Sequence, residues 1–150
     1  MFVVAREEAI AGVEHFVMTF ADREAYFQKA DLALSLEKRG GEVDRKMSPA
    51  WIRYQWPLRA GTSWTQTLTF ERPKRRSTEE VIYKCTVSDP QTIVVPAGEF
   101  RALNVECVNA RSGALLVDSW YAPDVMWYVR NRVPTRGGFI EWQLIGHQRK

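Results

Sequence analysis

His15 and His147 are the only imidazoles in the chain. They are the side chains best suited to move a proton or hold a transition metal near neutral pH. They stand near opposite ends, and neither has a second ligand at metal-site spacing; Glu14 is merely adjacent to His15. No metal is expected. Cys85 and Cys107 belong to no Cys-x-x-Cys pair, so neither a zinc ribbon nor a dithiol redox motif is present. Both fall on apolar faces of strand-like segments, where two buried thiols and a cross-strand disulfide are equally open. A nucleophilic serine needs a base beside its hydroxyl, and no Gly-x-Ser-x-Gly elbow occurs. Asp118 and Ser119 are neighbours in a strand-like run, which points them to opposite faces. Glu79-Glu80, beside Lys74-Arg75-Arg76, read as a solvated strand entrance. Nothing in the sequence requires Asp118, Asp124 and Glu141 to meet. Gly40-Gly41 and Gly137-Gly138 are isolated pairs and read as turns, not as a phosphate cradle. The sequence therefore assigns no catalytic residue and no cofactor. An enzyme would require a cluster of polar groups that only the fold gathers in a pocket.

The aromatic residues carry more information. Six tryptophans, Trp51, Trp56, Trp64, Trp120, Trp127 and Trp142, are accompanied by Tyr121 and Tyr128. Core packing accounts for most of them, because each ring buries a large apolar area. In extended chain, however, the pairs Trp120-Tyr121 and Trp127-Tyr128 send one ring to each face. Surplus rings on a sheet can line a groove for an apolar or amphiphilic small ligand. The ligand-binding residues expected are Trp64, Trp120, Tyr121, Trp127 and Tyr128, with Arg53, Arg59 and Arg130 at the rim to hold an anionic head group. The competing reading uses the same residue types as interface anchors, in a homodimer or against an envelope protein partner.

With 150 residues the chain fits a single β-rich domain over 1–150. A net charge of +3, with scattered basic residues, lacks the stripe that nucleic-acid binding needs, so no nucleic acid is expected. No apolar run approaches the roughly 20 residues of a membrane-spanning helix. Phe2 to Ala5 is a short apolar stretch, followed at once by Arg6-Glu7-Glu8, and does not read as a signal peptide.

These side chains have to be positioned by strands. Val81, Tyr83, Cys85 and Val87 alternate with more polar residues, as do Leu103, Val105 and Cys107. Thr92 to Val95 runs into Pro96-Ala97-Gly98, where proline presets a turn and glycine tolerates positive φ. Leu115 to Tyr121, Val125 to Val129 and Phe139 to Ile145 follow, separated by Ala122-Pro123-Asp124 and Arg136-Gly137-Gly138. Strands at such spacing predict a curved antiparallel sheet, whether half-barrel, barrel or sandwich. The first 60 residues are ambiguous. Residues 21–38 contain helix formers, yet Leu32, Leu34 and Leu36 alternate strictly, which favours strands at 14–20, 24–29 and 31–38. A short helix within residues 2–13 is also open.

Three motifs resemble those of a group of uncharacterised bacterial envelope proteins. They are Trp56-Pro57-Leu58 with Gly61 and Trp64, Val95-Pro96-Ala97-Gly98-Glu99-Phe100, and Trp120-Tyr121-Ala122-Pro123. Together they cover about residues 54–125. The resemblance implies an exported, β-rich protein of unknown function, with a curved sheet akin to lipoprotein-carrier-like or capsule-lipoprotein-like folds. It implies a periplasmic or envelope location, although the absence of a readable leader leaves the cytoplasm open. It brings no catalytic residues. The function expected is a noncatalytic envelope binding or carrier module for a lipid-like or glycan ligand.

Overall fold

The structure, a computed structural model, describes residues 3–146; His147 lies outside them. Among the described residues there are twelve strands and no α-helix. In chain order they are β1 (Val3–Ile10), β2 (Val13–Phe20), β3 (Arg23–Gln28), β4 (Leu34–Arg39), β5 (Glu42–Trp51) and β6 (Ser63–Arg72). After a 3-10 turn at Pro73–Arg75 come β7 (Ser77–Val87), β8 (Gln91–Val95), β9 (Gly98–Asn109), β10 (Leu115–Ala122), β11 (Trp127–Thr135) and β12 (Gly138–Gln143). The hydrogen-bonded order is β1-β2-β3-β4-β5-β6-β7-β9-β10-β11-β12, with β8 joined to β9 alone, and the path does not close. The mainly β, antiparallel class read from the sequence is the one observed. The helix considered within 2–13 is instead β1, whose residues pair along β2 from Val3↔Thr19 to Ile10↔Val13. The two-residue turn Ala11-Gly12, both at positive φ, returns the chain directly onto itself and leaves no room for a helix.

Backbone contacts divide the chain into two compact units. The first comprises residues 1–56 and 66–82. It is a meander in which β2, β3, β4 and β5 follow one another through short turns. Gly40 and Gly41 both take positive φ in the tight turn that pairs Arg39 with Glu42, a conformation that favours glycine. A cross-strand row, Val17↔Tyr26↔Leu36, forms one apolar cluster, with Ile10 packed against it.

The second unit comprises residues 57–65 and 83–150. Here β9 is shared. Its first half pairs with β8 and its second with β7 and β10. Burial changes phase accordingly: Phe100 and Ala102 are buried in the first half, Val105 and Cys107 in the second. Ile93, Val95, Phe100, Ala102, Trp120, Ala122 and Val129 make one core. Cys85 stands directly opposite Cys107 on β9, and the two form a disulfide. That register resolves the choice the sequence left open.

Candidate functional site

Polar groups converge on a hollow of about 220 Å³ in the first unit. It exists because two pairings are irregular. On β4, Leu36 pairs with Lys46 of β5 and Leu34 with Trp51, so five steps along β5 face two steps along β4. The intervening residues Met47 to Ala50 leave β4, and Met47 and Ser48 pair with Phe70 and Thr69 of β6 instead. On the other side of β4, Tyr26 pairs with Leu36 and Phe27 with Leu34, which makes Ser35 the extra residue of a bulge. A bulge re-aims a side chain that strict alternation would send away. Ser35 and Leu36 consequently line the same hollow.

Ile10, Leu36, Met47 and Ala50 supply apolar wall. The polar lining residues are His15, Gln28, Ser35 and Lys46. His15 sits on β2 opposite Gln28 of β3 and is only 2% exposed. Its Nδ1 lies 2.8 Å from the Val13 carbonyl oxygen, and its Nε2 lies 2.8 Å from Ser35 Oγ. A carbonyl oxygen can only accept, so in the neutral ring Nδ1 carries the proton and Nε2 accepts from the serine hydroxyl. Gln28 Nε2 donates to the same Ser35 Oγ at 3.3 Å. The His15 ring also packs edge-on against Tyr26, with centroids 6.4 Å apart.

A charged group flanks Tyr26. Arg6 Nη2 donates to Tyr26 Oη at 2.9 Å, and its Nη1 lies 2.6 Å from Glu24 Oε2. Hydrogen bonds to Glu24 and then Glu8 push the exposed Arg6 guanidinium up from its ordinary pKa. Lys29 is likewise pushed up by its 2.8 Å contact with Glu7. These exposed pairs contribute little to stability.

The residues nominated from sequence fall elsewhere. Trp64, Trp120, Tyr121, Trp127, Tyr128, Arg59 and Arg130 belong to the second unit, and Arg53 to the first. Trp120 and Arg130 are direct cross-strand partners, with the guanidinium 4.9 Å from the ring centre; Arg132 stands 5.7 Å from the same ring. Tyr121 pairs with Tyr128, whose ring lies 5.1 Å from that of Trp127. Trp64, Trp120, Tyr121 and Tyr128 are buried, Trp127 is half-buried and Arg59 is exposed. Arg53 is buried with its guanidinium 4.9 Å from the Trp51 ring. Beside Trp120, Asp118 accepts from Asn104 Nδ2 at 2.5 Å and lies 3.7 Å from Arg132. Among the described residues, no group of three potential metal ligands is gathered.

Sequence reasoning missed the His15–Ser35 pair, because it tested each histidine only against neighbours in sequence and against the other histidine. The one available signal was a serine set between Leu34 and Leu36 in an apolar run.

No protein family matches the sequence, and no curated protein does. Among solved structures, the chain is similar to the hypothetical lipoprotein YmcC from Escherichia coli (K12). That likeness has 11% identity and a TM-score of 0.43, over 86% of this chain and 74% of the other. It is also similar to a candidate lipoprotein from Parabacteroides distasonis, with 13% identity and a TM-score of 0.40, over 93% of this chain and 82% of the other.

Proposed function

We propose that this chain is a binding module of the bacterial envelope for a small lipid-like ligand, held by its acyl end in the hollow of the first unit. The observation that carries the reading is the composition of that hollow: a largely apolar wall that also includes Lys46, Gln28 and the His15–Ser35 pair. An amphiphile with a short acyl chain and an anionic or hydrogen-bonding head matches both kinds of lining residue. A volume of about 220 Å³ lies below the ~300–1,000 Å³ of sites that enclose drug-sized ligands, so it accommodates a short segment rather than a whole lipid. The disulfide supports an oxidising compartment, since such bonds are rare in reducing cytosol. Of the residues nominated from sequence, Arg130 over Trp120 enters as a second contact for an anionic ligand.

Amide NMR spectra recorded during titration with octanoate test the proposal. Shifts confined to strands β1 to β5 around the hollow, abolished by Ala50→Phe with the overall spectrum preserved, are the expected result. No shift up to millimolar ligand would sink it.

A second reading, assembly with another copy, rests on β12. That strand has one hydrogen-bonded neighbour and carries Phe139 and Ile140 at 55% and 50% exposure. An apolar strand edge offers backbone donors and acceptors to a further strand. Sedimentation at several concentrations should then show a dimer that Ile140→Lys dissociates; a strict monomer excludes it.

A further inference from the structure

We infer that Ser35 is a nucleophile activated by His15, and that the hollow hydrolyses small carboxylic esters whose acyl chain it holds. The inference rests on the proposed acyl occupancy of the hollow and adds chemistry to it. Nucleophilic serine catalysis needs a hydroxyl hydrogen-bonded to a base, a third group that fixes the base, and donors where an oxyanion forms. Ser35 Oγ lies 2.8 Å from His15 Nε2, within the reach such a base requires. The Val13 carbonyl, 2.8 Å from Nδ1, holds the ring in the tautomer that leaves Nε2 free to accept. A buried histidine bonded at both nitrogens also serves as a plain cross-link within a sheet. What sets this pair apart is that the bulge turns Ser35 into a hollow instead of into packed core, and that Gln28 and Lys46 join it there.

The steps balance without any further reagent except water. Ser35 Oγ attacks the ester carbonyl carbon while its proton passes to His15 Nε2. The donor on hand for the oxyanion so formed is the Gln28 amide, whose Nε2 already reaches Ser35 Oγ at 3.3 Å, and Lys46 lines the same hollow. Collapse breaks the bond to the alkoxy oxygen, which leaves as the alcohol with the proton from His15. Water then adds to the acyl-serine, giving one proton to His15. The carboxylic acid departs and the proton returns to Ser35. The uncharged Val13 carbonyl stabilises an imidazolium less than a carboxylate does, so turnover is expected to be slow. Covalent capture is therefore the better assay.

The test is to incubate the intact protein with a butyl fluorophosphonate, in which Ser35 Oγ replaces fluoride on phosphorus, and to map the adduct by peptide mass spectrometry. One adduct, on Ser35, is expected. It should be absent in Ser35→Ala and formed at least about a hundredfold more slowly in His15→Gln, the scale on which a general base acts. Because His15 is buried, the replacement can disturb folding; the mapped position in the unaltered protein decides the question independently. Octanoate shifts without any Ser35 adduct would overturn the inference and leave the binding reading intact. Absence of both would remove the two together. An adduct on Ser35 that forms equally fast in folded His15→Gln would overturn the role given to His15.

Discussion

Reducing the Cys85–Cys107 disulfide should lower the melting temperature by about 10 °C, and the figure follows from where the bond lies. The two cysteines are 22 positions apart. Closing a loop of that size removes unfolded-state entropy worth about 3 kcal/mol in the chain-entropy description. For a chain of this length each kcal/mol moves the midpoint by about 2–4 °C. Both residues are fully buried, at 0% and 1% exposure, and they face one another across β7 and β9. Reduction removes no heavy atom and so opens no cavity, and the loss of the cross-link acts chiefly on the unfolded chain. Replacing both by alanine would add a packing loss and blur the comparison. The reduced protein should be prepared by unfolding in urea with a thiol reductant and refolding under reductant, with two free thiols confirmed by titration. Thermal melts followed by far-UV circular dichroism and by tryptophan fluorescence then give the difference. A reduced chain that melts within ~2 °C of the oxidised one, well inside the shift expected from the loop, would refute the reasoning.

Three further outcomes are expected. Tyr26→Phe should cost about 1 kcal/mol in urea unfolding, because it removes the hydroxyl bonded to Arg6 Nη2 at 2.9 Å, whereas Tyr26→Ala should cost about 4 kcal/mol by emptying the cluster it forms with Val17 and Leu36. Glu42 should titrate below the usual carboxylate range, since Lys74 Nζ holds it at 2.9 Å, and Lys74→Ala should return it to normal in an NMR titration. The depressed value means that the pair's contribution to stability is present above the ordinary carboxylate pKa and lost as pH falls through the lowered one. Arg130→Ala should cost about 1 kcal/mol through loss of the guanidinium over Trp120 and of its 2.7 Å bond to Glu141, read as a lower urea midpoint; an unchanged midpoint would refute it.

Strands whose burial obeys one rule along their length were legible in the sequence. Val81, Tyr83, Cys85 and Val87 alternate as they are buried, and the turn at Pro96-Ala97 lies between β8 and β9 as composition predicts. The strands favoured at 14–20, 24–29 and 31–38 correspond to β2, β3 and β4, although Leu32 takes positive φ in the turn and β4 begins only at Leu34. Strand β5 was hidden because its residues serve two partners in succession and include Pro49, so no single period survives. The disulfide and the His15–Ser35 pair were illegible for a common reason. Each depends on register between strands, and a one-residue slip would send every side chain to the other face. Composition sees the rings of Trp120 and Tyr128; it does not see that both are buried.

Strand β5 is braced on its β6 side by a side chain where strand pairing stops. Its register with β6 runs as far as Ser48↔Thr69, and backbone groups beyond that point need other partners. Gln66 of β6 supplies them with its side chain. Its Oε1 accepts from the Ile52 amide at 2.8 Å, and its Nε2 donates to the Ala50 carbonyl at 2.9 Å. One side-chain amide thus plays the part of a short strand segment on either side of Trp51, itself buried against Phe70. Bulges such as the one at Ser35 are over-represented next to functional sites. In the first unit that bulge holds the one serine hydroxyl that hydrogen-bonds to an imidazole among the described residues.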